Sequence, residues 1–291
     1  PGQSQVKLDG RIANVVELDG VELALSGRLA DAGWLTPALP ETLGALASAE
    51  LAARVSGDRS RLRLEEVTLK AGSADKLDLS LTGGLDLTQP LQSIETENLN
   101  LKLTFKAPTT RAARVLVFDA VPELGAITGS ADIRSATGDP ALEDIVIRTE
   151  DEKGIQVALN GRIAQFPLSD APNKGYDLEV SMKAAQTSLM AERVGTELPL
   201  AGPLDLSYRI QGDTQALELN EVKLSAGDRH KTQIGAEGRI HFGDWDLPDP
   251  IASMDLTVRM SGRDTGFLSA WTEQDFPPTA YQSQGRLHTV D

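Results

Sequence analysis

One short mark returns along the chain at almost constant intervals. Gly10-Arg11-Ile12, Gly83-Gly84-Leu85, Gly161-Arg162-Ile163 and Gly238-Arg239-Ile240 are separated by 73, 78 and 77 residues. A mark so evenly spaced over 291 residues means a repeat architecture, in which each unit leans on its neighbours and no central core grows. The repeats read as a partial unit at 1–12, units at 13–83, 84–160 and 161–237, and a partial unit at 238–291. They form one continuous array without a linker. The chain opens on Pro1 and stops inside a repeat, which reads as a piece of a longer protein.

Every repeat keeps one order of elements, and the first is a strictly alternating strand. Its four copies place Val21, Leu23 and Leu25, then Leu99, Leu101 and Leu103, then Leu178, Val180 and Met182, then Leu256, Val258 and Met260 on one face. Their starts are 78, 79 and 78 residues apart. Period-two alternation predicts a strand with one apolar and one polar side.

Next comes a short stretch of helical character before a proline, at 31–37, 109–120, 187–194 and 264–273. Thr109, Thr187 and Asp264 are candidate caps. A second strand closes on a Gly-Asp turn at Gly57-Asp58, Gly138-Asp139 and Gly212-Asp213.

A third strand breaks its alternation once. The break is a three-residue step from Leu64 to Val67, Leu142 to Ile145 and Leu219 to Val222, read as a bulge or a strand switch. A final strand, 77–81, 155–159 and 233–236, runs into the next Gly-Arg-Ile. Counted this way, each repeat supplies about five strands spaced about 4.8 Å apart.

Composition narrows the function. Apolar residues are 40 % but aromatics only 4 %, which suits a single sheet layer filled by Leu, Val, Ile and Ala better than a thick core. A net charge of −15 repels a phosphate backbone and an anionic membrane surface, so nucleic acid is excluded as a partner. With no cysteine, disulfides and thiolate metal or redox sites are excluded. No apolar run reaches the roughly 18 residues of a transmembrane helix.

No site chemistry competes with the repeat. His230, His241 and His288 share no metal-ligand spacing and read as single solvated side chains. The acidic run 244–249 lacks the glycine and distal glutamate of a calcium loop. Nucleophile elbows, phosphate loops and His-Glu-x-x-His are absent, so the chain reads as a non-enzyme without metal or cofactor. Arg11, Arg162 and Arg239 at the seams read as partners of nearby acids on the polar face, with lipid headgroups as the alternative.

The order of elements resembles the AsmA-like proteins of the Gram-negative envelope, a group built from repeating β-groove units. The most telling residues are Leu198-Pro199-Leu200-Ala201-Gly202-Pro203-Leu204, Arg209-Ile210-Gln211-Gly212-Asp213 and Gly238-Arg239-Ile240. The resemblance implies an elongated, curled antiparallel sheet of tandem repeats with a short helix per repeat. It further implies an apolar trough for phospholipid acyl chains, a periplasmic location, an inner-membrane anchor elsewhere in the parent protein and transport towards the outer membrane. The twelve alternating residues would line that trough. Two alternatives remain. The same residues could pack only against the helices, through Leu189, Met190 and Val194 for example. Or the chain could be a scaffolding rod that binds envelope proteins through its acidic surface.

Overall fold

The computed structural model describes residues 4–29, 48–72, 76–89, 95–113, 123–151, 154–166, 173–189, 202–213, 216–228, 230–243, 251–266, 269 and 274–289. The protein is mainly β. Its strands are β1 (Gln5–Asn14), β2 (Asp19–Leu29), β3 (Ala49–Gly57), β4 (Arg61–Gly72), β5 (Asp78–Thr88), β6 (Glu95–Ala107), β7 (Ala126–Thr137) and β8 (Ala141–Glu150). They continue as β9 (Ile155–Gln165), β10 (Lys174–Ala184), β11 (Leu204–Gly212), β12 (Leu217–Gly227), β13 (Thr232–Phe242), β14 (Ile251–Gly262) and β15 (Tyr281–His288). All fifteen stand in one sheet in sequence order, each hydrogen-bonded to its neighbours in the chain.

Among the described residues the repeat has four strands, not five. The closing strand and the Gly-Arg-Ile mark are the two halves of one long strand: β5, β9 and β13 each run straight through the glycine. Positions a, b, c and d of the repeat are therefore β2–β5, β6–β9 and β10–β13, with β1 at position d and β14 and β15 at positions a and b.

The recurring glycine has a physical reason. Gly10, Gly83, Gly161 and Gly238 hold φ of 143°, 142°, 141° and 153°, a conformation closed to L side chains. A Cβ built there would sit only 2.0–2.1 Å from a carbonyl oxygen on the next strand: Glu22, Asn100, Asp177 and Asp255 in turn. The glycine lets strand a close onto strand d within its alternating run, Leu23 opposite Gly10, Leu101 opposite Gly83 and Leu256 opposite Gly238.

The three-residue step in strand c is a bulge. The pairing shifts between Leu64 and Val67 and between Leu219 and Val222. Glu66, Asp144 and Glu221 inside the three steps have φ of 52°, 49° and 52°. The extra residue is absorbed there, so apolar positions on both sides of the step stay on one face.

The helical stretches are short where they are described. One helical turn covers 187–189, in which the Leu189 amide donates to the Gln186 carbonyl at 3.2 Å. The 109–113 segment is a pair of turns. The 31–37 stretch and the remainders of the other three lie outside the described residues, apart from helical positions at 266 and 269.

By their contacts the residues form two compact units. The first is Pro1–Val121, Ala126–Val146 and Ala164–Ala171; the second is Pro122–Gly125, Ile147–Ile163 and Pro172–Asp291. The second has a core of Leu124, Ile155, Ala184, Leu204 and Ala226.

Gly238→Ala therefore loses at least about 2 kcal/mol of stability, because a β-carbon clash with the Asp255 carbonyl adds to backbone strain. Gly285→Ala, where a Cβ meets nothing within 4 Å, leaves stability unchanged. Urea unfolding of the two variants checks the pair.

Candidate functional site

Antiparallel partners point to the same side of a sheet, so the pairing registers decide which residues share a face. In the second unit one row reads Met182, Leu206, Leu224, Ala236 and Val258 across five strands. A parallel row reads Ala184, Leu204, Ala226, Ile234 and Met260. A third reads Leu178, Ile210, Leu219, Ile240 and Met254. In the first unit Leu51, Leu69, Leu81, Leu103 and Ala131 form such a row, as do Leu23, Val55, Leu64 and Leu85.

The twelve alternating residues all stand on this apolar face of their own unit. Val21, Leu99, Leu101, Leu178 and Val180 are buried. Leu23, Leu25, Leu103, Met182, Leu256, Val258 and Met260 remain partly exposed. The face is wider than those twelve, because strands b, c and d contribute as many leucines and isoleucines as strand a. In strand c the three-residue step hides them from simple alternation.

Burial across the face is uneven. Buried pairs lie where strand a leaves for its long connection to strand b: Leu29 opposite Ala49, Ala107 opposite Ile127 and Ala184 opposite Leu204. The described parts of two of those connections supply cover, with Thr110, Ala113 and Thr187 buried and Leu189 packed against the core of the second unit. The Thr187 amide donates to the Gly202 carbonyl at 2.7 Å, and the Gly202 amide donates to Gln186 Oε1 at 3.2 Å, which ties the connection down at both ends. The chain's own segments thus cover part of this face at that margin. Met190, Val194 and the other apolar residues of the helical stretches lie outside the described residues.

The opposite face is polar and ion-paired. Arg11 meets Glu22 at 2.8 Å, Arg162 lies 3.8 Å from Asp177, and Arg239 stands opposite Asp255. The seam arginines thus face acids of the next strand. Where the second repeat has Gly84 instead of arginine, Asn100 stands in place of the acid. From the other side Arg209 reaches Asp177 at 2.6 Å and Arg286 reaches Asp255 at 2.7 Å.

Asp86 is the exception to an exposed polar face, at 3 % accessible. Asn98 donates to it at 2.9 Å and Arg63 at 3.1 Å, with Arg61 3.3 Å away. The Asn98 hydrogen bond, then Arg63 and Arg61, hold its carboxyl below the usual carboxylate range against the opposing effect of burial.

Strand register also brings together two histidines that read as unrelated in the sequence. His241 and His288 line one polar hollow of about 470 Å³ with Glu218, Arg239, Asp255 and Arg286. His241 Nδ1 lies 3.7 Å from Glu218 Oε1 and makes no hydrogen bond. The sequence carries no signal for this gathering, since it depends on pairings between strands β12 to β15. His230 stays exposed beside Arg263. Among the described residues no three His, Asp or Glu side chains are grouped to hold a metal, and the acidic run 244–249 lies outside them. Among the described residues no helix is long and apolar enough to cross a membrane.

No protein-family model, no curated protein and no solved structure matches the chain.

A carboxylate with a lowered folded pKa lends stability above its unfolded value, about 3.9, and loses that stability as pH falls through the folded one. The wild-type urea midpoint is therefore expected to drop below about pH 4. Asp86→Asn should be less stable at pH 7 and show a shallower acid decline, which a denaturation series from neutral to acid pH measures.

Proposed function

We propose that the apolar face of each unit shelters phospholipid acyl chains, as a periplasmic segment of a lipid-transport protein of the AsmA-like kind anchored in the inner membrane by a part outside this chain. The observation that carries this reading is the set of aligned leucine, isoleucine and methionine rows in a one-layer sheet, many of whose members stay partly exposed.

A row of half-exposed apolar side chains attracts hydrocarbon without a specific grip. Each methylene withdrawn from water gains about 0.8 kcal/mol, and the attraction has no direction. A tail held this way is free to slide from row to row. Strands of eleven residues, such as β2, β10 and β13, are about 36 Å long, against about 15 Å for one leaflet of hydrocarbon. The length suffices for a whole tail with its headgroup left outside.

Charge supports the same reading. A chain of net −15 does not adsorb to an anionic bilayer surface, so lipid would be taken one molecule at a time, by its tails. On the ion-paired face Arg11, Arg28, Arg209, Arg259 and Arg286 already have an acid in place.

Native mass spectrometry of the purified chain should find phospholipid bound. Leu103→Asp and Val258→Asp, at half-exposed positions where the fold tolerates change, should reduce that lipid at least roughly tenfold with circular dichroism unaltered. A photo-crosslinker at Leu103 should label lipid in cells. A folded, lipid-free wild-type chain and an unlabelled crosslinker would replace this reading with that of a scaffolding rod.

A further inference from the structure

The chain has three tyrosines, and all of them lie in the second unit on its apolar face. Tyr176 stands opposite Gly212 at the hairpin margin, and Tyr281 donates to the Thr232 hydroxyl at 3.2 Å. Tyr208 is different. It stands in the middle of β11 opposite Val180, at the place where Ala53 pairs with Leu25, Ala131 with Leu103 and Gly285 with Val258 in the other repeats. Those repeats keep a small residue at this position, and β10–β13 alone carries a phenol there.

The bulge explains how the ring fits. Pairing between β11 and β12 skips Tyr208, as pairing between β3 and β4 skips Ala53. No residue of strand c lies directly across, which leaves room for a large side chain. Nothing on the neighbouring positions can take its hydrogen. Beyond the bulge its own row continues with Val222, Gly238 and Leu256. Leu206 and Leu224 stand in the row on one side, Ile210 and Leu219 in the row on the other. The Tyr208 hydroxyl has no hydrogen-bond partner among the described residues, and it is not sealed in, so it opens at the surface of the face. Burial of the ring pushes the phenol above its usual range, which keeps it a neutral donor.

A guest lying along β11 covers that hydroxyl. Plain hydrocarbon would strip away its water and leave the donor unsatisfied, whereas an acceptor at the same spot would take the water's place. We infer that Tyr208 is the point at which this face grips the ester carbonyl of a lipid, donating its hydroxyl hydrogen to it, an inference that rests on the acyl-chain reading above. The phenol then selects ester lipid over hydrocarbon of the same shape. From Tyr208 to Leu204, where the long connection returns, is four residues, or about 14 Å of strand. That is close to the roughly 15 Å of hydrocarbon in one leaflet, so an ester held at Tyr208 lays its tail on the stretch that runs to the covered margin. The first unit, with Ala53 and Ala131 at the matching positions, has no such grip there.

The test gives the purified chain an equimolar mixture of dipalmitoyl phosphatidylcholine and its dihexadecyl ether analogue. The two share headgroup and tail length and differ in the ester carbonyls, and native mass spectrometry compares the amounts bound. The ester lipid should be favoured at least roughly tenfold. Tyr208→Phe should still bind both lipids and lose that preference. Tyr176→Phe should keep it, because the headgroup is common to both. Equal binding of the two lipids by the wild-type chain, a preference that survives Tyr208→Phe, or one lost equally in Tyr176→Phe overturns the inference and leaves the acyl-chain reading standing. Binding of neither lipid overturns both.

Discussion

The constraint on which the sheet depends is parity. In a one-layer sheet each side chain's face is set by whether its position is odd or even, so one extra residue sends everything beyond it to the wrong side. Strand c contains that extra residue in every full repeat. The bulge absorbs it at Glu66, Asp144 and Glu221, each in a left-handed conformation that costs an L residue about 1–2 kcal/mol. Without it Val67, Leu69 and Ala71 would turn towards water, and each large apolar side chain so exposed forfeits about 1.5–3 kcal/mol. The strain is the smaller quantity. The bulge persists because it keeps Val67, Leu69 and Ala71 on the same face as Leu62 and Leu64.

The two faces contribute differently to stability. Arg11, Arg28 and Arg259 and their acids are mostly exposed, and ion pairs of that kind are worth about 0–1 kcal/mol. Their value is in marking register. A slip of one residue would set Arg239 against a neighbour of Asp255 and bring Ile240 to the polar side. The paired neutral residues Gly84 and Asn100 fit that view, since register there is already fixed by the Gly83 approach to the Asn100 carbonyl. Asp86 is different in kind. A carboxylate so well buried is stable only with its donors in place, which makes Asn98, Arg61 and Arg63 a single arrangement with it.

Much of this was legible in the residues. Periodicity gave the twelve strand-a positions and the place of the bulge, because both are local properties of a strand. The seam arginines could be assigned to acids, because a chain with 43 carboxylates rarely leaves a surface guanidinium without one. The strand count was misread for a definable reason. The final strand and the Gly-Arg-Ile it runs into are one strand, with Gly83, Gly161 and Gly238 at its middle, needed for a close approach across the sheet, so the count of about five per repeat was one too high. The hollow around His241 and His288 was hidden because residues 47 apart in the chain become neighbours only through the registers of β13, β14 and β15.

Burial along the strands gives the apolar face a direction. In an antiparallel meander the turns alternate between two margins, and here the long a-to-b connections all leave from one of them. Leu29, Ala107, Ile127 and Ala184 are buried at that margin, while near the other Val21 is buried and Leu62, Leu87 and Leu217 are only half-buried. On the proposed reading, a tail lying along the strands on this face would lose most water contact with its end beneath the connections. Its headgroup would then belong at the margin of the short b-to-c hairpins, where Gly57-Asp58 and Gly212-Asp213 turn in the open. The same segments that cover part of the apolar surface would thereby orient whatever occupies the rest. A cover along one margin is compatible with the binding proposed, whereas a cover over every row would not be, and rows such as Leu206–Leu224 and Leu81–Leu103 remain partly exposed.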